Sequence, residues 1–191
     1  MKLVLRSLVV VMTMVGFLAP TGTALAEDSW EDLDHAAKRA KINETADKTL
    51  KDVVSEHEKA STLYKDAYGW AAFDNLKIAF GFSGGGGNGV AVHKKSGART
   101  YMKMGTVGVG FGLGGQKYQV LFLFQDEKTF NNFVETGWQA DASASAQAGG
   151  TGAGAQTGFV NGIAIYQISD KGLMANADVA GTKYWKNDKL N

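Results

Sequence analysis

The chain has 191 residues, with 20 basic and 19 acidic side chains, a single proline and no cysteine. Without cysteine the protein has neither a disulfide framework nor thiol chemistry. The near balance of charges gives no global basic surplus, so nucleic acid is not predicted as a partner. The length suits one domain with its own hydrophobic core.

Residues 1–26 have the pattern of a secretory signal peptide. Lys2 and Arg6 supply the positive start, Leu8–Leu18 is a largely apolar run, and Ala24-Leu25-Ala26 has the A-x-A form of a cleavage site. The apolar run is shorter than the roughly 20 residues that a membrane-spanning helix needs. We therefore expect cleavage near Ala26 and a periplasmic or secreted protein, with peripheral attachment to a membrane left open.

The predicted mature chain has no lipid anchor. Glu27 follows the predicted cleavage point, where a lipoprotein has cysteine, so the protein is not predicted to be a lipoprotein. Without Lys2 and Arg6, 18 of the 20 basic residues remain against 19 acidic ones, a net charge of −1. The signal has no twin arginine, which favours export of an unfolded chain without a cofactor.

Residues 29–68 have a helical composition, rich in Ala, Glu, Lys and Asp and without Gly or Pro. Ser29 is the predicted N-cap, and a break near Ile42-Asn43 would divide the segment into two helices. Apolar residues at helical spacing predict packing against a sheet. The alternative is a first helix on a membrane surface, with Lys38, Arg39 and Lys41 beside a narrow face made mostly of alanine.

Four strands are predicted from Leu76 to Tyr118, around two glycine clusters. Ser83–Asn88 is expected to turn, and Ser96-Gly97 to form a hairpin turn. Across Gly105–Gly115, apolar residues alternate with glycine at the period of two of a strand. Because glycine weakens a strand, its glycine face suggests that another segment or a ligand approaches the backbone closely.

The C-terminal part continues the β pattern around one helix. Gln119–Phe124 predicts a strand buried on both faces, and Asp126 begins a short amphipathic helix that ends at Gly137. Three further strands are predicted at 138–148, 159–168 and 173–184, and the polar tail 186–191 is predicted to fray. The expected fold is α+β, with N-terminal helices packed on a curved, mainly antiparallel, glycine-rich sheet or barrel-like sheet.

Two motifs match catalytic or nucleotide-binding patterns in their letters alone. Gly110–Gly115 fits G-x-G-x-x-G, but a strand pattern follows it where a dinucleotide-binding turn needs a helix. Ser83, the candidate nucleophile of an esterase, fits G-x-S-x-G, but the glycines after it disfavour the helix that a nucleophile elbow requires. The histidines His35, His57 and His93 lack metal-ligand spacing. Neither an enzyme nor a metal site is predicted.

The strongest electrostatic signal is a segregation of basic residues. No acidic residue lies between Asn75 and Gln125. The basic residues of this stretch are Lys77, His93, Lys94, Lys95, Arg99, Lys103 and Lys117. Such segregation gives one end of the sheet a positive field suited to phosphate headgroups or another polyanion. The alternative is that the lysines keep hairpin tips and edge strands soluble.

The ordered series of elements resembles the SYLF domain. The segments that carry the resemblance are Phe80–Val90, Gly105–Gly115, Tyr118–Phe124, Asp126–Phe133, Gly162–Tyr166 and Lys171-Gly172-Leu173 through to Tyr184. The resemblance spans about Ala46–Trp185. It divides the chain into a signal peptide (1–26), an N-terminal helical segment (27–45) and a SYLF-like domain (46–191).

The resemblance implies a non-enzymatic, lipid-binding envelope protein. Eukaryotic members of the family bind phosphoinositides and, in yeast actin-patch proteins, actin; bacterial members are exported or lipid-anchored. The residues implied to bind anionic, phosphoinositide-like headgroups or a membrane surface are Lys38, Arg39, Lys41, Lys94, Lys95 and Arg99. Actin binding is not carried over, because an exported bacterial protein would not meet cytoplasmic actin. The alternative is a structural or interaction protein of the periplasm that forms homo-oligomers without a lipid ligand.

Overall fold

A computed structural model describes residues 22–139, 158–169, 172–175 and 181–191. The helices are α1 (Gly22–Glu56), α2 (Glu58–Asp66) and α3 (Glu127–Asn131), and α3 continues into a π-helical turn (Asn132–Thr136). The strands are β1 (Gly69–His93), β2 (Arg99–Phe124), β3 (Trp138–Gln139), β4 (Ile163–Ser169), β5 (Gly172–Ala175) and β6 (Thr182–Lys186). The predicted α+β fold, with N-terminal helices on a strongly curled antiparallel sheet, is confirmed.

Strand β2 is the centre of the sheet. One edge of β2 pairs with β1 along almost its whole length, and the two strands are joined by a tight turn in which Gly97 has a φ of 72°. The other edge pairs with β6 over Met102–Thr106 and with β4 over Tyr118–Phe124. β3 and β5 extend the sheet beyond β6 and β4, and every pairing is antiparallel. The predicted hairpin at Ser96-Gly97 is therefore confirmed.

The predicted turn at Ser83–Asn88 is wrong, because β1 runs through it. Ser83 pairs with Gly108 and Asn88 pairs with Lys103, and the ladder has one irregularity, between Phe80 and Phe82. Glycine is common in turns but does not require one. In β1 the glycines leave space for another segment to approach the backbone.

Three glycines allow the two halves of β1 to cross. A Cβ on Gly85 would lie 2.5 Å from the carbonyl oxygen of Leu76, and one on Gly87 would lie 2.5 Å from that of Asp74. A Cβ on Gly89 would overlap the Phe73 ring. The first half of β1 therefore crosses the second in antiparallel sense, and the approaching segment is the same strand. In the second cluster, where the approach was expected, a Cβ on Gly105 would lie 3.1 Å from the Trp185 ring and one on Gly108 would lie 3.1 Å from the Ser83 hydroxyl, whereas one on Gly114 would have nothing within 4 Å.

The curled sheet separates two hydrophobic cores. The inner core is aromatic, with Phe73 4.6 Å from Tyr184 and Phe122 5.1 Å from Phe133 between ring centroids. The outer core joins both helices to the sheet; its largest members include Val53, Trp70, Leu121, Leu123 and Tyr166. Val120 to Phe124 are all fully buried, which confirms the strand predicted to be covered on both faces.

Two tyrosine hydroxyls are buried in these cores. Burial raises the pKa of Tyr166 to about 12. Burial, followed by the nearby Tyr118, raises the pKa of Tyr184 well above its usual range. Neither hydroxyl has a hydrogen-bond partner within the described part of the chain.

The helices differ from the prediction at their ends. Helix α1 continues through Ile42-Asn43 and breaks at His57 instead, which is the N-cap of α2 and accepts a hydrogen bond from the backbone of Ala60 through Nδ1. Ser29, predicted as an N-cap, lies within α1. The helix also extends across the predicted processing point near Ala26, and cleavage there stays a prediction. None of the described helices is both long and apolar enough to span a membrane.

The helix predicted after β2 is confirmed. Asp126 caps α3 by accepting from the backbone of Thr129 at 2.8 Å, Phe130 and Phe133 are buried, and Gly137 ends the helical segment with a φ of 79°. The predicted strand 138–148 is described only at Trp138–Gln139, and the remainder lies outside the described residues. β4 begins at Ile163 rather than at 159, and β5 and β6 occupy the ends of the strand predicted at 173–184.

A lysine-lined candidate functional site

A cleft opens between α1, the two long strands and the residues that follow β6. Its volume is about 380 Å³, within the roughly 300–1,000 Å³ of typical ligand sites. Four lysines line it, namely Lys38, Lys41, Lys103 and Lys189. We call it the lysine cleft. Among the described residues, the lining has four lysines and a single carboxylate, that of Asp74, so the cleft favours an anion.

Small side chains bring α1 close to the sheet at this place. Ala46 of α1 and Ala72 of β1 are both buried in the outer core, and both line the cleft. Thr49 is also buried, and its hydroxyl donates to the carbonyl oxygen of Thr45 at 2.8 Å, which satisfies it within the helix. Lys38 and Lys41, on the preceding turns of α1, line the same cleft.

The C-terminal residues form the opposite wall. The Asn191 side chain pairs with both backbone groups of Tyr101 at 2.8 Å, as a neighbouring strand would. The backbone of Asn187 also donates to the Tyr101 carbonyl at 2.9 Å, and Leu190 is buried. The prediction of a frayed tail is therefore wrong, because side-chain amides supply the pairing that the short segment lacks. This anchoring places Lys189 in the lysine cleft.

The cleft's lysines differ in their pairing. Lys38 donates to Asp34 one turn earlier on α1, and both side chains are more than half exposed. Asp74 accepts from the side-chain amide of Gln119 at 3.0 Å. Within the described residues, Lys41, Lys103 and Lys189 form no ion pair. Three of the four lysines of the cleft therefore have no direct ion pair with an acid in the described part of the chain.

The three site residues predicted on α1 meet at this cleft. Lys38 and Lys41 line it. Arg39 is half-buried beside it and donates to the carbonyl oxygen of Leu190 at 3.5 Å, so it joins α1 to the C-terminal wall. This part of the predicted site is brought together with Lys103 and Lys189.

The three site residues predicted on the β1–β2 hairpin do not line the cleft. Lys94 donates to the carbonyl oxygens of Tyr64 and Lys65 at 2.7 and 2.6 Å and lies over the Tyr64 ring. Both carbonyls lie at the C-terminal end of α2, where a cation is stabilising, and that of Tyr64 also accepts from the backbone of Ala67 at 3.3 Å. Lys94 therefore fastens the hairpin to α2.

Arg99 and Lys95 lie in the same hairpin but have different surroundings. One guanidinium nitrogen of Arg99 donates to both carboxylate oxygens of Asp47, at 2.9 and 3.1 Å, and the other donates to the side-chain oxygen of Asn43 at 3.1 Å, which ties β2 to α1. Lys95 lies in the turn and is exposed to solvent. Lipid binding by any of the six predicted residues stays a prediction.

Two lysines of the cleft were outside the predicted site. Lys103 belonged to the recognised basic stretch, and the alternation of β2 could place it on a face but not opposite α1. Lys189 lies in the tail that was expected to fray. The side-chain pairing of Asn191 with β2, together with the backbone bond from Asn187 to Tyr101, makes that tail a wall, and pairing of this kind has no periodic signal.

The candidate catalytic residues are in structural positions. Ser83 is buried within β1 and is followed by strand rather than helix, so it lacks the geometry of a nucleophile elbow. His57 caps α2, and the Nδ1 of His93 accepts from the backbone of Ser96 at 2.9 Å. Across the described ranges, no three His, Asp or Glu side chains are grouped as metal ligands.

Comparisons with known proteins give one family and one curated relative. Residues 105–191 match the family model Ysc84, described as Las17-binding protein actin regulator. The protein named beta cell expansion factor A from Aeromonas veronii is 41% identical over 147 residues, which is 77% of this chain. The matched region covers 56% of that relative, so the chain spans little more than half of its length.

Proposed function

We propose that this protein binds anionic phospholipid headgroups at a membrane surface as a member of the SYLF family, whose model, named Ysc84, matches residues 105–191. The lysine cleft is the observation that carries the proposal. Three of its lysines have no acidic partner among the described residues, and clustered lysines attract phosphate at roughly 1 kcal/mol per residue near a membrane.

The proposed mechanism is non-covalent. The cleft is open at the surface, so a headgroup phosphate enters with its acyl chains still in the bilayer. Lys41, Lys103 and Lys189 donate to the phosphate oxygens, and Arg39 holds the C-terminal wall against α1. No reaction is proposed, and the SYLF family is not known as an enzyme family.

Lipid is proposed as the partner in place of actin. The family description refers to an actin regulator, but the signal-like N-terminus predicts export, which would separate this protein from cytoplasmic actin. Periplasmic or secreted localisation is part of the same proposal. Immunoblotting of cell fractions with an antibody to the protein would test it, and retention of an unprocessed chain in the cytoplasm would contradict it.

Co-sedimentation of the purified protein with vesicles tests the proposed function. We expect binding to phosphatidylcholine vesicles that contain phosphatidylglycerol and little binding to phosphatidylcholine alone. High salt should weaken the binding, because surface attraction falls off within the Debye length. Equal, negligible sedimentation with both vesicle types would refute the proposal.

Self-association is a second candidate function, favoured by exposed apolar residues. Leu76 and Ile78 of β1 and Val107 of β2 are 42%, 56% and 76% exposed. Exposed apolar residues that form a contiguous patch are typical of interaction surfaces. Analytical ultracentrifugation of the wild type and of Val107→Lys tests this candidate. A monomer at all concentrations would exclude it.

A further inference from the structure

A smaller recess adjoins the lysine cleft where the two halves of β1 cross. Its volume is about 230 Å³. Asp74 and Asn88 line both the recess and the cleft, so the two spaces share a wall. Lys117 lines the recess at its other side, together with Asn75 and the backbone of Gly86-Gly87. One ligand can therefore occupy both spaces.

Two buried amides at these spaces have polar atoms without partners. Asn75 is 2% exposed, and neither its Nδ2 nor its Oδ1 has a partner among the described residues. Asn187, which lines the lysine cleft, is 5% exposed, and its Oδ1 also has no partner there. A buried polar group without a hydrogen bond costs about 1–3 kcal/mol. Such groups are few in native proteins and need an explanation.

Gly87 leaves the Asn75 amide room to turn. A Cβ at position 87 would overlap Asn75 Oδ1 and lie 3.0 Å from its Cγ, so the amide packs directly against the glycine backbone. Without that Cβ the amide can rotate toward the recess. The strand crossing therefore provides both the space and the polar group of the recess.

The two spaces offer different chemistry. Lysine supplies donors alone, which match the acceptor oxygens of a phosphate, whereas an amide supplies a donor and an acceptor. A hydroxyl group also donates and accepts, so it can donate to the amide oxygen and accept from the amide nitrogen. A phosphate without neighbouring hydroxyls could accept from Asn75 Nδ2 but would leave Asn75 Oδ1 without a donor.

We propose that the lysine cleft and the recess form one site for phosphate esters with a neighbouring hydroxyl, in which the lysines hold the phosphate and Asn75 binds the hydroxyl. This inference rests on the proposed function in taking the cleft as the phosphate site. The ligand can be a lipid headgroup or a soluble ester. The chemistry is the same for both, and the experiment separates them.

The test compares two lipids and one variant. Vesicle binding is measured with phosphatidylglycerol, whose headgroup has two hydroxyls, and with phosphatidic acid, which has none, each at the same mole fraction in phosphatidylcholine. We expect Asn75→Leu to lower the preference of the protein for phosphatidylglycerol about tenfold, the effect of roughly 1.4 kcal/mol of hydrogen bonding. Binding to phosphatidic acid should be unchanged.

Thermal unfolding of the same variant separates binding from folding. Leucine has nearly the shape of asparagine and removes the unpaired polar atoms, so Asn75→Leu should melt at the same temperature as the wild type or higher. Asn187→Leu is the second variant. Asn187 lies in the C-terminal wall of the lysine cleft, and its replacement should also lower the preference for phosphatidylglycerol. An unchanged preference in a folded Asn75→Leu protein would overturn the inference.

A soluble arm identifies the source of the ligand. Calorimetry with glycerol 1-phosphate detects the site without a membrane, with inorganic phosphate as the probe that lacks hydroxyls. Stronger binding of glycerol 1-phosphate than of inorganic phosphate supports the inference, even if the protein does not bind vesicles. A failure to bind vesicles would then refute the membrane function alone. The absence of binding to both vesicle types and both soluble probes would overturn the site itself.

Discussion

Replacing Gly87 by alanine tests whether the strand crossing organises the fold. The added Cβ would lie 2.5 Å from the carbonyl oxygen of Asp74 and would overlap the side chain of Asn75. Backbone atoms cannot move aside as a flexible side chain can. Overpacking of this kind costs about 1–3 kcal/mol and sometimes more. We therefore expect Gly87→Ala to destabilise the protein by about 2 kcal/mol or more.

Gly86 is the matched control, one residue earlier in the same strand. A Cβ there would lie 3.6 Å from its nearest neighbour, the carbonyl oxygen of Met104, which is an ordinary contact. Alanine at a compatible glycine position usually stabilises a protein by about 0.4–1 kcal/mol through the unfolded state. Gly86→Ala should therefore leave the free energy of unfolding unchanged or raise it.

Thermal unfolding followed by circular dichroism distinguishes the two variants. At roughly 2–4 °C per kcal/mol for a chain of this size, Gly87→Ala should melt about 4–8 °C or more below the wild type. Urea unfolding should give the same order of stability. Equal melting of Gly87→Ala, Gly86→Ala and the wild type would refute the crossing of the two halves of β1.

Two further predictions concern the packing of the hairpin and the buried tyrosines. Lys94→Gln should lower the free energy of unfolding by about 1 kcal/mol, because it removes the cation from the carbonyls of α2. Lys95→Gln, in the exposed turn, should leave it unchanged. Equal denaturation midpoints for the two variants would contradict the capping role of Lys94. Because the folded pKa of Tyr166 is about 12, above the ordinary value of about 10, its contribution to stability is complete below about pH 10 and declines as the pH rises toward 12. Ultraviolet titration should therefore show tyrosine ionisation delayed in the folded state, and complete ionisation near the ordinary pKa of about 10 without unfolding would contradict the burial.

The sequence predicted the parts of this fold that repeat along the chain. Alternation identified Gly105–Gly115 as strand, and a continuous apolar run identified Val120–Phe124 as a strand covered on both faces. The cap at Asp126 and the stop at Gly137 could be predicted as well, because the conformations of these positions depend on their own residue types. Periodicity and capping are local, and the structure agrees with them.

The parts that depend on distant segments could not be predicted. Glycine at 83–88 fits a turn as well as a strand crossing, and only the path of residues 72–76 decides between them. Lys94 and Arg99 belong to a basic stretch, yet each is engaged by a helix that lies more than 25 residues away in the sequence. The wall that carries Lys189 depends on contacts of Asn187 and Asn191 with Tyr101, which lies more than 80 residues earlier in the sequence. Segregation of charge indicated an anion site but not which lysines would form it.

The central claim is that the lysine cleft binds anionic headgroups, and charge variants test it most directly. Lys41→Gln/Lys103→Gln removes two charges from the cleft, and Lys51→Gln/Lys59→Gln removes two from exposed helix positions outside it. At about 1 kcal/mol per lysine, the cleft variant should bind phosphatidylglycerol vesicles about 30-fold more weakly than the wild type. The control variant, with the same net charge, should remain close to the wild type. Equal weakening of both variants would show that overall charge rather than the cleft causes binding, and would contradict the claim.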